Sequence, residues 1–142
     1  MAAVRLATDY LTGPSGVVDL VLECSFGASG AVTLTTEDAD GVQASYGIQS
    51  ITKESTAGQY TIVFGNATQT YKFQRCLGIF PVFNSSTTAP AAPVVTILTD
   101  AVKASGSLTV QCWDLETPAA TNPASGETLS MTIRLKNNMT NP

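Results

Sequence analysis

The chain has 142 residues, a single-domain length, with seven Lys or Arg, eleven Asp or Glu, no His, and a net charge of −4. A basic surface for nucleic acid is excluded, because binding by counterion release needs clustered cations and the seven here are dispersed. Missing His removes the usual general base, the Ser and Cys triads, and most zinc and iron sites.

A domain of this length buries roughly 68% of the surface its unfolded chain exposes, so one core forms without disulfides. Charged side chains make up 13% of the chain, against about 25% in an average globular protein. Twenty threonines replace much of that polarity. Threonine fits pleated, half-buried surface, because its branched Cβ restricts χ1 and its hydroxyl tolerates water. A weakly charged surface also resists association poorly, so an oligomer or lattice component is expected.

Residues 1–16, "MAAVRLATDYLTGPSG", lack a basic segment followed by an apolar core and a cleavage site, and no run of 18 apolar residues occurs anywhere. Synthesis and retention in the cytosol are expected, with no membrane partner. Leu11 to Gly16 reads as a joint. The ten residues before it are then either a docking arm or a frayed terminus, with only a weak helical stripe from Val4 to Leu11. The domain division is an arm over 1–16 and a β domain over 17–142.

Eight strands follow from the pattern. The first covers Val17 to Cys24, and after the turn Gly27-Ala28-Ser29-Gly30 comes "AVTLTT", with Val32 and Leu34 on one face. "TTEDADG" (Thr35 to Gly41) is the acidic cluster. It resembles half of a calcium loop, but Gly47 stands where the distal Glu belongs, which favours a solvated turn. Ile48 to Lys53 and "QYTIVF" (Gln59 to Phe64) flank Thr56-Ala57-Gly58, and a strand over Tyr71 to Ile79 comes next. Ile48 and Ile51 fall on opposite faces by parity, and Arg75 interrupts Phe73 and Leu77, so bulges or doubly covered strands are expected there.

"NSSTTAPAAP" (Asn84 to Pro93) reads as a sheet-to-sheet crossover, followed by a strand over Val94 to Thr99. In "SLTVQCWD" Leu108, Val110 and Cys112 share a face opposite Thr109, Gln111 and Trp113. The clearest strand is "TLSMTIRLK", where Leu129, Met131, Ile133 and Leu135 alternate with polar residues. Eight strands joined by Gly-rich turns predict an all-β fold, an antiparallel β-sandwich or jelly roll with an extended N-terminal arm.

No chemical site emerges, and neither cofactor, metal nor enzymatic activity is expected. Cys24, Cys76 and Cys112 lack C-x-x-C spacing and read as buried free thiols, with one disulfide plus a leftover thiol as the alternative. Asp19 or Glu23 with Asp114 or Glu116 would be needed for a glycosidase dyad, and nothing in the spacing joins them. Asn66, Asn84 and Asn138 match glycosylation sequons, as a Thr-rich chain does by chance. The candidate protein contacts are Val4, Leu6, Tyr10 and Leu11 of the arm, with Phe80, Phe83 and Trp113, since aromatic side chains off the core face bury large area at low entropic cost. The competing reading of these aromatics covers them within the monomer.

The pattern Gly47-Ile48, Ser50-Ile51-Thr52-Lys53, Ser55-Thr56-Ala57-Gly58, Tyr60-Thr61-Ile62 and Phe64 resembles a strand-turn-strand unit of tailed-bacteriophage structural proteins, found in small head-decoration (cement) proteins and in fibre heads. Val94 to Asn137 is similar to their closing strands, so the resemblance spans residues 46 to 137. The same β pattern recurs in complement-head and tumour-necrosis-factor-type jelly rolls, and it implies a homotrimer. No collagen-like or coiled-coil shaft precedes the domain, a departure that favours cement over fibre. The resemblance implies a capsid decoration protein on the outer surface of the virion, assembled in the host cytoplasm, whose partners are the major capsid protein and its own copies. The alternative is a receptor- or carbohydrate-binding head of a tail or fibre protein, and a hydrolase comes third.

Overall fold

The computed structural model describes residues 16–85 and 90–137. Their strands are β1 (Val17–Phe26), β2 (Val32–Leu34), β3 (Ile48–Lys53), β4 (Gln59–Phe64), β5 (Arg75–Asn84), β6 (Val94–Ala101), β7 (Ser107–Trp113) and β8 (Thr128–Lys136). They form two antiparallel four-stranded sheets, ordered β2-β1-β8-β5 and β3-β4-β7-β6. The expected all-β sandwich is the architecture found.

Alternation builds the core. On β1, Val18, Leu20, Leu22 and Cys24 lie opposite Leu135, Ile133, Met131 and Leu129 of β8, and all eight are buried. Tyr60, Ile62 and Phe64 of β4 with Leu108, Val110 and Cys112 of β7 supply the facing layer. Each such fully buried aliphatic or aromatic side chain contributes about 1.5–3 kcal/mol relative to exposure.

Two strand readings are corrected in position. The strand expected over Tyr71 to Ile79 begins instead at Arg75 and runs to Asn84, which places Phe80 to Phe83 inside a strand. Tyr71 and Phe73 sit before it and are buried, and the Phe73 ring meets that of Phe64 edge-on at 5.9 Å. Two alternating aromatics read as a strand in sequence, whereas here they plug one end of the sandwich.

Bulges explain the broken parities. Ile48 pairs with Phe64 and Ser50 with Val63, so the extra residue Gln49 returns both Ile48 and Ile51 to the core side. Leu77 is the extra residue of β5 against β8, and Leu98 that of β6 against β7.

Candidate functional site

The two sheets present different outer faces. On the second sheet Thr52, Thr61, Thr109 and Thr99 stand opposite one another across all four strands. Thr61 and Thr109 hydroxyls lie 3.1 Å apart, Thr61 donates to Glu54 Oε1 at 2.6 Å, and Gln59 donates its amide to Gln111 at 3.0 Å. Neighbouring side chains satisfy one another, which makes this a self-satisfied polar face.

Trp113 lies at the end of that face, half-buried, and donates its indole N–H to Thr96 at 2.7 Å. Sugar recognition by Trp113 with Asp114 and Glu116 would need a carboxylate free to turn toward a ligand. Asp114 instead accepts from the Glu116 N–H and the Thr117 hydroxyl, and these bonds hold its carboxyl below the usual carboxylate range.

A charged pair lies on the first sheet's outer face. Arg134 donates two hydrogen bonds to Asp19, at 2.8 and 2.9 Å, and its guanidinium lies 5.6 Å from the Phe80 ring centroid. Gly78, directly opposite Arg134, leaves the space that the Phe80 ring leans over. The hydrogen bonds from Arg134 lower the Asp19 pKa.

Apolar surface gathers where edge strand β5 of the first sheet runs beside edge strand β6 of the second. Leu77, Phe80 and Val82 of β5 are 41%, 55% and 57% exposed, and Ile97 and Leu98 of β6 are 39% and 51% exposed. The Cys76 N–H donates to Asp100 Oδ2 at 2.9 Å and ties the two edges together. Both bulged leucines lie within two positions of this tie. Ile97 is the most informative member. It stands opposite the buried Val110 and therefore faces the core side, yet water reaches it.

The candidate contact residues thus separate. Phe80 belongs to the exposed strip. Phe83 turns inward, packs against the core and stacks with Phe26 at 6.1 Å between ring centroids. Trp113 lies on the polar face of the other sheet. Val4, Leu6, Tyr10 and Leu11 lie outside the described residues. Leu77, Val82, Ile97 and Leu98 were not among the contact candidates read from the sequence; of these exposed side chains only Phe80 was.

The remaining reactive groups are not assembled. Asp19 and Glu23 lie on the first sheet, engaged by Arg134 and Ser130, while Asp114 follows β7 of the second, so no dyad forms among them. Asp38 Oδ1 accepts from the Asp40 and Val42 N–H groups, both at 2.9 Å, closing the acidic segment into a turn. No three His, Cys, Asp or Glu side chains gather to hold a metal among the described residues. All three cysteines are free; Cys24 and Cys112 are buried, whereas Cys76 is only half-buried. No helix among the described residues is long and apolar enough to cross a membrane.

No family model, curated protein or solved structure matches this chain. The surface is therefore read from its own geometry.

Proposed function

We propose that the protein is a phage virion structural protein, a capsid decoration or cement protein that binds the assembled head shell and stabilises it by bridging major capsid subunits. One observation supports this reading: of the eight large apolar side chains exposed among the described residues, five lie along the β5–β6 side. Apolar side chains concentrated this way mark a surface for protein association. A protein that binds only the closed shell raises the cost of opening it by mass action, with no chemistry of its own. The resemblance of residues 46 to 137 to phage head-decoration proteins supports the choice of a capsid as that assembly.

Incubating the purified chain with expanded, undecorated heads and counting bound copies tests the proposal. Saturable binding with a fixed number of copies per shell is the expected result. Binding to cells or glycans with none to shells overturns it in favour of a receptor-binding head.

A further inference from the structure

We infer that the end of the sandwich where β5 and β8 meet the β6–β7 turn docks an acidic protein surface. The inference deepens the shell-binding reading and rests on it for the identity of the partner, an acidic face of the assembled shell.

Dispersed along the sequence, the cations gather in the fold. Arg75 of β5 stands directly opposite Lys136 of β8, and Arg134 lies two positions back from Lys136 on the same face. The Phe73 N–H donates to the Val102 carbonyl at 3.2 Å, which brings Lys72 and Lys103, each one residue from a partner in that bond, to the same end. Gly106 seats the β6–β7 turn close against this segment: its φ is +71°, and an added Cβ would strike the Tyr71 carbonyl oxygen. Of the six Lys and Arg among the described residues, five therefore share one end, and Lys53, at the far end of β3, is the exception.

Two carboxylates reach this end, and both are engaged. Asp19 accepts both hydrogen bonds from Arg134, while Asp100 accepts the Cys76 N–H at 2.9 Å through one oxygen and the Val102 N–H at 3.2 Å through the other. Five cations against two carboxylates leave +3 here. The other described residues set Lys53 against eight carboxylates, a balance of −7. Residues 1–15 and 138–142, which continue from Gly16 and Asn137 at this end, have Arg5 and Asp9 as their charged side chains and so leave its balance unchanged.

Lys72, Arg75 and Lys103 are exposed, and no ion pair holds any of them among the described residues. A +3 end on a chain of −4 overall turns an approaching acidic surface toward itself, because the rest of the molecule repels that surface. The neighbourhood favours protein over nucleic acid. Leu77, 41% exposed, lies two positions from Arg75 and begins the apolar strip, so cationic and apolar contacts adjoin as they do in protein interfaces. Duplex nucleic acid carries a charge about every 1.7 Å and would run past this end onto the anionic remainder. A local acidic face meets the end alone.

Titrating the full chain with poly-L-glutamate, an acidic polypeptide, and separately with undecorated heads tests this. Polyglutamate binding should weaken about tenfold or more from about 50 to about 300 mM NaCl, as the screening length shortens. Lys72→Glu, Arg75→Glu and Lys103→Glu should each weaken it about threefold or more, and each should lower the occupancy of heads at subsaturating protein. Lys53→Glu, which changes the net charge equally, should leave both unchanged. Absent polyglutamate binding overturns the inference, as does binding that ignores the three variants or that Lys53→Glu weakens as much. A short DNA duplex that binds more tightly than polyglutamate at equal charge also overturns it, by making the partner a nucleic acid. Heads bound regardless of salt and of all three variants would preserve the proposed function while removing this surface. Polyglutamate binding without head binding would remove the proposed function and leave the basic end as a site for another acidic protein.

Discussion

The Tyr60 hydroxyl, buried in the second sheet's core face, donates to the carbonyl of Gly30 at 2.7 Å. Gly30 closes the short turn after β1, so this bond joins the two sheets at one end of the sandwich. Asn122 completes the junction, accepting from the Gly58 N–H at 2.8 Å and donating to the Ser29 carbonyl at 3.2 Å. Three loops distant in sequence are thereby fixed by two side chains.

Tyr60→Phe removes the donor and leaves a buried carbonyl without it. The expected loss is about 1–2 kcal/mol, read from chemical denaturation. Gly30→Ala should cost more, because Gly30 has φ +76° and an added Cβ would come within 2.7 Å of Asn122 and the Tyr60 hydroxyl. If Gly30→Ala proves the milder change, the junction is looser than these distances state.

Glu127 is the second buried organiser. Its carboxylate accepts from the Ala91 N–H at 2.7 Å and the Ala124 N–H at 3.0 Å, joining the β5–β6 crossover to the β7–β8 loop. Glu127→Ala strands two donors and should destabilise by about 2–4 kcal/mol. Glu127→Gln retains one acceptor and should lose roughly half as much. Equal losses from the two variants would mean that both carboxylate oxygens are needed together.

Alkaline pH should unfold the protein through its thiols. Burial pushes Cys24 and Cys112 from 9.0 up to about 12, with the charge of Cys112 adding to the rise at Cys24 and that of Glu127 adding to the rise at Cys112. Between pH 9 and 12 the folded thiols keep protons that the unfolded chain releases, so stability is complete below about 9 and falls as pH rises. Each separation of this size is worth on the order of 4 kcal/mol once fully expressed. Denaturation midpoints should drop steeply over that window, and Cys24→Ala with Cys112→Ala should flatten the drop, whatever the baseline cost of the cavities. At neutral pH a thiol reagent should modify Cys76 first, since it is the half-buried one.

Period-2 patterning made the sandwich legible because most strands have one wet and one dry face. β8 is the plain case, with four inward apolar residues in unbroken alternation. Legibility failed where geometry departs from that pleat. Nothing in local composition places the extra residue of a bulge, so the parity of Ile48 against Ile51, and the exposure of Leu77 and Leu98, appeared only with the register. Ile97 shows the deeper limit. Its parity assigns it to the core, yet on edge strand β6, beside the bulge at Leu98, it is wet, while Val95 on the same strand is buried. Phe80 and Phe83 were recognisable together as aromatic contact candidates and were not separable until β5 was placed, since the same run holds an inward and an outward ring.

The Asp19–Arg134–Phe80 row should matter little to folding. Both charged side chains are exposed, 40% and 47%, and pairs so placed contribute little to stability. Arg134 lowers the Asp19 pKa below 3.8, so the pair's contribution is present above that pH and disappears as acid protonates Asp19. Asp19→Asn should therefore shift the neutral-pH midpoint only slightly. Chemical denaturation at neutral pH checks this, and a large loss would show that the pair ties β1 to β8 more firmly than its exposure implies.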